Sequence, residues 1–123
     1  MHEFAMAKQI VENVLEEARK HNAKRVSEVH LIVGQFTFLG GEALRTAYEA
    51  LAKDTILEGS KLVIEEKKGL VKCRICGYEG TVNLSHENEH HEELQIIRCP
   101  NCGVAVDILD GKDCVVQSVK LVI

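Results

Sequence analysis

The sequence contains few aromatic residues, one proline and no tryptophan. Two tyrosines and three phenylalanines are the only aromatic residues in 123 positions, so a hydrophobic core must be mainly aliphatic. The composition, 46% hydrophobic and 28% charged, is ordinary for one compact domain or for one small domain with a smaller appendage. No apolar run approaches the ~20 residues that a membrane span needs, and the polar start contains no signal-peptide core. We therefore expect a cytoplasmic protein that does not enter a membrane.

An excess of positive charge is also absent. The net charge is −4, and the stretch 69–103 is acidic, so a polyanionic partner would be repelled there and we expect no nucleic-acid partner. The sequence has no phosphate-binding loop and no Ser, His and Asp set, so we also predict that the protein is not an enzyme. The charged residues of the stretch are Glu79, Glu87, Glu89, Glu92 and Glu93 against Lys72, Arg74 and Arg98.

Four of the five cysteines occur in two C-x-x-C pairs, Cys73 with Cys76 and Cys99 with Cys102. Each pair can direct two thiolates of one tight turn at a single ion, and the glycine after each pair permits a positive φ. Without a secretory signal, this pattern favours a metal over disulfides. The 22 residues between the pairs slightly exceed the ~15 to 20 of a zinc ribbon, so we expect a long loop between them.

We predict one closed structural zinc site formed by these four cysteines. Two independent redox pairs or unmetallated surface thiols are the alternatives, and four thiolates would also suit iron in a rubredoxin-like site. Cys114 has no partner pair and lies on a predicted strand, where we expect it to be a small buried hydrophobic residue.

Hydrophobic periodicity predicts two helices and three strands. Apolar residues recur on one helical face over residues 4–21 and again after Gly40-Gly41, and the second helix should pack beside the first. Strands are predicted at 26–34, 61–66 and 114–123. The fold class is therefore α+β, with two helices packed on a small three-stranded sheet. In the last strand, one side is predicted to carry Val115, Gln117, Val119 and Leu121, and the other Val116, Ser118 and Lys120.

The N-terminus, Met1-His2-Glu3, offers a second and different metal site. Methionine before a residue as large as histidine is usually not removed, so the terminal amine stays beside the His2 amide and imidazole. Amine, deprotonated amide and imidazole favour the square-planar arrangement of nickel(II) or copper(II). The ligands must lose protons to bind, so the affinity should fall on acidification. A solvated histidine without any metal is the alternative.

The cysteine-bearing segment lies between the last two predicted strands and is rich in turns. We interpret residues 69–108 as an inserted zinc-ribbon-like module carrying both C-x-x-C knuckles. A segment this short could hardly support a core without a metal. Residues 1–68 plus 109–123 then form an α/β domain that carries the N-terminal metal site. The acidic loop between the knuckles holds His86, His90 and His91, which are either solvated or form a transient extra nickel site.

Over nearly its whole length the chain resembles the HypA family of hydrogenase maturation factors, which are nickel metallochaperones. The resemblance rests on the start Met1-His2-Glu3-Phe4-Ala5, on Val29-His30-Leu31-Ile32-Val33-Gly34 and on both knuckles. It also rests on the stretch that runs from Gly41-Glu42-Ala43-Leu44 through Thr55-Ile56-Leu57-Glu58-Gly59-Ser60-Lys61-Leu62. The histidine-rich acidic loop departs from the family pattern.

This resemblance implies a nickel site at Met1, His2 and Glu3, with Ni(II) as transferred cargo, and a structural Zn(II) at Cys73, Cys76, Cys99 and Cys102. It implies delivery to the hydrogenase large subunit with a HypB-type nucleotide-hydrolysing partner, by a monomer or weak homodimer. A zinc-ribbon nucleic-acid or transcription module is the alternative from another class, and charge argues against it. A thiol redox enzyme is the third possibility.

Overall fold

The computed structural model describes residues 2–82 and 97–123. In chain order the elements are the helix α1 (Glu3–Lys20), strand β1 (Arg25–Gly34), a short 3-10 turn (Gln35–Thr37), helix α2 (Gly41–Ala52), and the strands β2 (Lys61–Lys67), β3 (Leu70–Lys72), β4 (Glu79–Gly80), β5 (Asp107–Asp110) and β6 (Cys114–Val122). The predicted α+β class is confirmed, and the predicted bounds of the first helix and of all three long strands are close to those observed. The second helix begins at Gly41, as its predicted position after Gly40-Gly41 implied.

Helix α1 is amphipathic and ends in a well-formed cap. Its buried face is aliphatic, while Glu3 in the first turn and Arg19 and Lys20 in the last turn complement the helix dipole. The chain leaves the helix through Asn22, whose φ of 53° is left-handed. The Ala23 N–H then donates to the Ala18 carbonyl at 3.0 Å, which completes a Schellman-type end. The buried residues are Ala7, Ile10, Val11, Val14 and Ala18.

The main sheet has the order β2-β1-β6, with β1 parallel to β2 and antiparallel to β6. Helix α2 forms the crossover between the two parallel strands, and both helices pack together on one face of the sheet. Side chains from both layers meet in an aliphatic core, and Tyr48 is its one aromatic member among the residues that the structure describes. The Tyr48 hydroxyl lies 2.6 Å from Ser60 Oγ, so the ring is buried without an unpaired oxygen.

The prediction for the two faces of β6 is wrong in its first half. Val116 and Val119 pack against the main core, whereas Val115 is 49% exposed. The reason is a shift of register: His30 pairs with Ser118 but Leu31 pairs with Val116. The extra residue in β6 forms a β-bulge, which reverses the alternation of side chains on either side of it.

A second, smaller sheet has the order β4-β3-β5 and supports its own small core. Val71 of β3 is fully buried there beside Val82. The third buried member is Phe36, which belongs to the turn directly after β1. One aromatic ring from the first part of the fold therefore completes the core of the second. The residues packed around these three are Tyr78, Ile97, Val106 and Ile108.

Three glycines form the joint between the two sheets. The Gly34 N–H donates to Asp113 O and the Phe36 N–H donates to Gly111 O, both at 2.8 Å. A Cβ on Gly69 would overlap the Phe36 ring, and a Cβ on Gly34 would overlap the Gly111 carbonyl. Glycine is required here because backbone and ring lie closer than any side chain permits. Among residues 2–82 and 97–123, no helix is long and apolar enough to cross a membrane.

Candidate metal centre

The two C-x-x-C knuckles have the same local geometry. In the first, the Cys73 N–H donates to Tyr78 O at 2.8 Å and the Gly77 N–H donates to Cys73 O at 3.1 Å. In the second, Cys99 donates to Val104 O at 2.8 Å and Gly103 donates to Cys99 O at 2.9 Å. Gly77 and Gly103 have φ values of 79° and 81°, so the expected positive φ after each pair is confirmed.

The knuckles bring all four sulfurs together. The Sγ atoms of Cys73, Cys76, Cys99 and Cys102 lie within 4.8 Å of one another. Cys73 Sγ is 3.5 Å from Cys102 Sγ, and Cys76 Sγ is 3.6 Å from Cys99 Sγ. An ion with four sulfurs at about 2.3 Å in a tetrahedron separates them by about 3.8 Å. The cluster therefore has the size of one tetrahedral thiolate site.

Backbone N–H groups point at the more buried sulfur of each knuckle. The Cys76 N–H donates to Cys73 Sγ at 3.5 Å. Cys99 Sγ accepts from Asn101 N–H at 3.4 Å and from Cys102 N–H at 3.5 Å. The hydrogen bond from the Cys76 backbone lowers the pKa of Cys73, because it favours the charged thiolate. Thiolate is the form that ligates metals.

The pKa values of the two exposed cysteines, Cys76 and Cys102, are shifted in opposite directions. Hydrogen bonds from the Asn101 side chain and the Tyr78 backbone lower the pKa of Cys76 to about 6. The Val104 N–H favours the Cys102 thiolate, but the neighbouring Cys73 sulfur and burial outweigh it and raise the pKa of Cys102 to about 12. Four negative charges cannot share this space unaided. The donor set therefore fits a cation that neutralises the cluster.

The sulfur contacts also bear on the redox alternative. The contacts at 3.5 and 3.6 Å each join one cysteine of the first knuckle to one of the second. A C-x-x-C redox site works instead within one motif, by forming and breaking a disulfide between its own two cysteines. The geometry converges on one centre and not on two separate pairs.

The second predicted site lies at the start of α1. His2 is exposed, and its side chain makes no hydrogen bond that caps the helix. The first helical hydrogen bond is donated by Met6 N–H to His2 O at 3.0 Å, so the amide nitrogens of His2 and Glu3 precede the hydrogen-bonded helix. Met1 lies outside the described residues.

The Glu3 side chain is engaged elsewhere. Glu3 Oε1 accepts a hydrogen bond from the Gly40 N–H at 3.2 Å, and Gly40 is the N-cap residue directly before α2. The sequence offered no reason to link these two positions, which are 37 residues apart. The sequence shows only a carboxylate in the first turn of one predicted helix and a glycine before the other, and neither feature indicates contact with the other.

The remaining histidines separate into two groups. His86, His90 and His91 lie outside the described residues. His21 lies at the C-terminal end of α1, 3.4 Å from Glu17, and His30 lies on the β1 face opposite the helices, 3.0 Å from Glu28. Cys114 lies on β6 and packs against the main core, as predicted, but it is half-buried and not fully buried.

The family model described as "Hydrogenase/urease nickel incorporation, metallochaperone, hypA" matches residues 1–121. The chain belongs to the HypA family. It is 38% identical to the hydrogenase maturation factor HypA of Methanopyrus kandleri, over 98% of this chain and 93% of that protein. It is 36% identical to the HypA of Methanothermobacter thermautotrophicus, over 98% and 97%.

Solved structures share the fold of this HypA family member. The nickel metallochaperone HypA from Helicobacter pylori aligns with a TM-score of 0.64 and 18% identity, over 99% of this chain and 98% of that chain. A second solution structure of a HypA protein aligns with a TM-score of 0.65 and 18% identity, over 99% and 97%. The family model and the curated relatives confirm the predicted family, whose model is described by hydrogenase/urease nickel incorporation.

Proposed function

We propose that this protein binds Ni(II) at its N-terminus and delivers it during maturation of nickel-iron hydrogenase. The ligands are the Met1 amine, the His2 amide and imidazole, and a nitrogen of Glu3. These donors suit a square-planar ion. A small set of nitrogen ligands also allows the nickel to be released to another protein. Family membership over residues 1–121 supports a nickel role.

The observation that carries this proposal is that the groups at the start of α1 take no part in the hydrogen bonds of the helix. The His2 imidazole is exposed and does not cap the helix. The amides of His2 and Glu3 precede the first helical hydrogen bond, so a metal can bind deprotonated amides without breaking helical structure. The Glu3 carboxylate accepts a hydrogen bond from the Gly40 N–H. We therefore assign the backbone nitrogen of Glu3, and not its carboxylate, as a nickel ligand.

Zinc is the ion that we propose for the four-cysteine centre. Four thiolates fill a tetrahedron, so the zinc would have no open position for water or substrate. Its chemistry there is to neutralise the thiolates and hold the knuckles. We accordingly treat residues 69–108 as the zinc-binding unit, inserted in a nickel-binding domain of residues 1–68 and 109–123. The two donor types separate the two metals, because thiolates select zinc and nitrogens in a plane select nickel.

The partners follow from the proposed cargo. We propose a HypB-type nucleotide-hydrolysing protein and the hydrogenase large subunit as the proteins with which nickel is exchanged. The protein would be a carrier and not an enzyme, and it would act in the cytoplasm, where thiols stay reduced.

Nickel titration of the tag-free protein by calorimetry tests the proposal. The informative variants are His2→Ala and a chain with one extra residue before Met1, and His21→Ala is the matched control at the other end of α1. We expect about one nickel per chain in the parent and the control, and none in the other two. Zinc should stay at one per chain in all four by elemental analysis. Nickel binding that ignores both changes would refute the terminal site.

The pH dependence of the same titration gives a second readout. Nitrogen ligands must be deprotonated to bind metal, so nickel affinity should fall between pH 8 and pH 6 by at least tenfold. Affinity that is unchanged over this interval would contradict ligation by amine, amide and imidazole.

A further inference from the structure

The two outer strands of the main sheet differ in charge. Strand β2 forms one edge of the sheet, and its charged residues are Lys61, Glu65, Glu66 and Lys67. The Arg45 side chain from α2 also donates a hydrogen bond to the Leu62 carbonyl of this strand. Charged residues are a usual means by which an edge strand avoids pairing with another chain. The β2 edge is therefore protected.

Strand β6 forms the opposite edge and lacks this protection. Among the residues Cys114–Val122, Lys120 carries the one charge, and its ammonium lies 2.9 Å from Glu28 Oε2 of β1. Within residues 2–82 and 97–123, β6 pairs with β1 alone. A long edge strand with few charges is a template for a further strand. The free backbone groups of β6 therefore provide a site for strand addition.

A groove of about 410 Å³ runs beside this edge, between β6 and α1. Val116 and Val119 of β6 line it on one side, and Asn13 and Glu17 of α1 line it on the other. Because alternate side chains of a strand point to the same face of a sheet, a strand added to β6 would direct every second side chain into this groove. The strand Cys114–Val122 and the groove thus form one continuous surface, which we call the edge surface.

The charges along α1 indicate which partner fits the edge surface. Glu17 lines the groove, and Lys20 Nζ lies 3.8 Å from Glu17 Oε2. A second copy related by a two-fold axis presents the same helix in the opposite direction, so the acidic part of one helix meets the basic part of the other. A second copy is therefore complementary in charge. The exposed charges run in the order Glu12, Glu16 and Glu17, then Arg19 and Lys20.

The area of the edge surface sets the strength of this contact. A strand of nine residues is about 30 Å long, and a sheet layer with a helix layer is about 20 Å thick. The contact then covers about 600 Å² per copy, less than the ~800 Å² of a stable interface. The bulge at Gln117 bends β6 and shortens the paired length further. Association should therefore be weak and reversible.

We propose that two copies of this protein pair their β6 strands in antiparallel orientation around a two-fold axis and form one six-stranded sheet. Helix α1 of each copy then lies beside α1 of the other, with Glu17 of one copy next to Lys20 of the other. The two N-termini lie about 45 Å apart, because ~15 residues of helix at 1.5 Å per residue separate each from the axis. The copies share no metal ligand, so the inference goes beyond the proposed nickel function.

Sedimentation equilibrium of the tag-free, full-length protein tests the proposal. We expect a monomer–dimer equilibrium with a Kd on the order of 10–100 μM, measured between about 5 and 500 μM chain. Glu17→Lys and Lys20→Glu should each weaken the dimer at least fivefold, because like charges then meet across the axis. The double variant Glu17→Lys with Lys20→Glu should restore the Kd to within twofold of the parent.

Glu12→Lys is the matched control, because it makes the same change of charge on the same helix. Glu12 lies five residues from Glu17, about 140° around the helix, and it does not line the groove. Its Kd should stay within twofold of the parent. Restoration by the double variant separates a contact between copies from a loss of folding, since a misfolded single variant would not be rescued by a second reversal.

Hydrogen exchange tests the strand pairing independently of the charges. Amides of β6 should exchange at least threefold more slowly at 500 μM than at 5 μM chain, whereas amides of β2 should exchange equally at both. A parent chain that stays monomeric throughout this range would overturn the proposal. So would a dimer whose Kd ignores both single reversals, or a dimer in which the slower exchange falls on β2 and not on β6.

Discussion

The carboxylate of Glu3 accepts a hydrogen bond from the Gly40 N–H at 3.2 Å and thereby joins the first turn of α1 to the start of α2. Glu3→Ala should lower the free energy of unfolding by about 0.5–1 kcal/mol, because a negative charge at a helix N-terminus is stabilising by this amount. Nickel should remain at one equivalent, because the Glu3 backbone nitrogen is unchanged. Chemical denaturation and calorimetry measure the two quantities. Glu12→Ala, an exposed position on α1, is the control, and loss of nickel in Glu3→Ala alone would show that the carboxylate is a ligand.

The close packing at the joint of Gly34, Gly69 and Gly111 predicts that an added methyl group destabilises the fold. Gly69→Ala places a methyl group in the Phe36 ring and should destabilise the fold by about 1–3 kcal/mol, as overpacking does. In a Phe36→Leu background, part of that cost should disappear, because the smaller side chain leaves space. Gly41→Ala is the control, since nothing lies within 4 Å of its Cβ position. Equal unfolding free energies for Gly69→Ala and Gly41→Ala would contradict a close-packed joint.

Loss of one thiolate should affect the two cores unequally. Cys76→Ser replaces an exposed cysteine, so its effect comes from ligation and not from packing. We expect zinc to fall from one per chain to near zero, because structural sites derive roughly 10–16 kcal/mol of apparent binding energy from their full ligand set. Methyl signals of Val71 and Val82 should then lose dispersion, while those of Val29 and Leu31 stay native-like. Cys114→Ser should retain zinc, and retention in Cys76→Ser would exclude this residue as a ligand.

Acid stability should depend on Glu28. Hydrogen bonds from His30, the larger effect, and from Lys120 lower the pKa of the Glu28 carboxyl from 4.5 to about 2. Lys120 Nζ lies 2.9 Å from Glu28 Oε2. A pKa that is lowered in the folded state stabilises the fold above pH 4.5, and this contribution is lost as the pH falls towards 2. Glu28→Gln should therefore lower stability at pH 6 and flatten the acid-unfolding curve between pH 4.5 and 2. Glu65→Gln on the neighbouring β2 is the control, and parallel curves for the parent and Glu28→Gln would argue against the interaction.

Periodic and local features were predictable from the sequence. The helix predicted over 4–21 is observed at Glu3–Lys20, because its apolar face repeats over five turns. The grouping of four cysteines followed from two short motifs whose turns need only local backbone geometry. The chemistry of Met1-His2 suggested a terminal site for nickel or copper, and the family resemblance supplied the choice of nickel and the inclusion of Glu3.

Features that depend on distant pairing were not predictable from pattern alone. The bulge in β6 reverses the face of Val115, and nothing in an alternating apolar strand marks where a residue is skipped. Phe36 was not singled out, because its burial depends on Gly69 and Gly111 arriving from elsewhere in the chain. Strands β3, β4 and β5 have two to four residues each, which is too short for a periodic signal.

The pairing of β1 with β6 also orders the events of synthesis. Arg25 pairs with Val122, so the central strand waits for the end of the chain before its second neighbour exists. A ribosome adds about 5–20 residues per second, and both knuckles are synthesised before β6. If the four cysteines bind a metal before β6 pairs, the small module folds while one edge of β1 is still open, and β6 closes that edge afterwards.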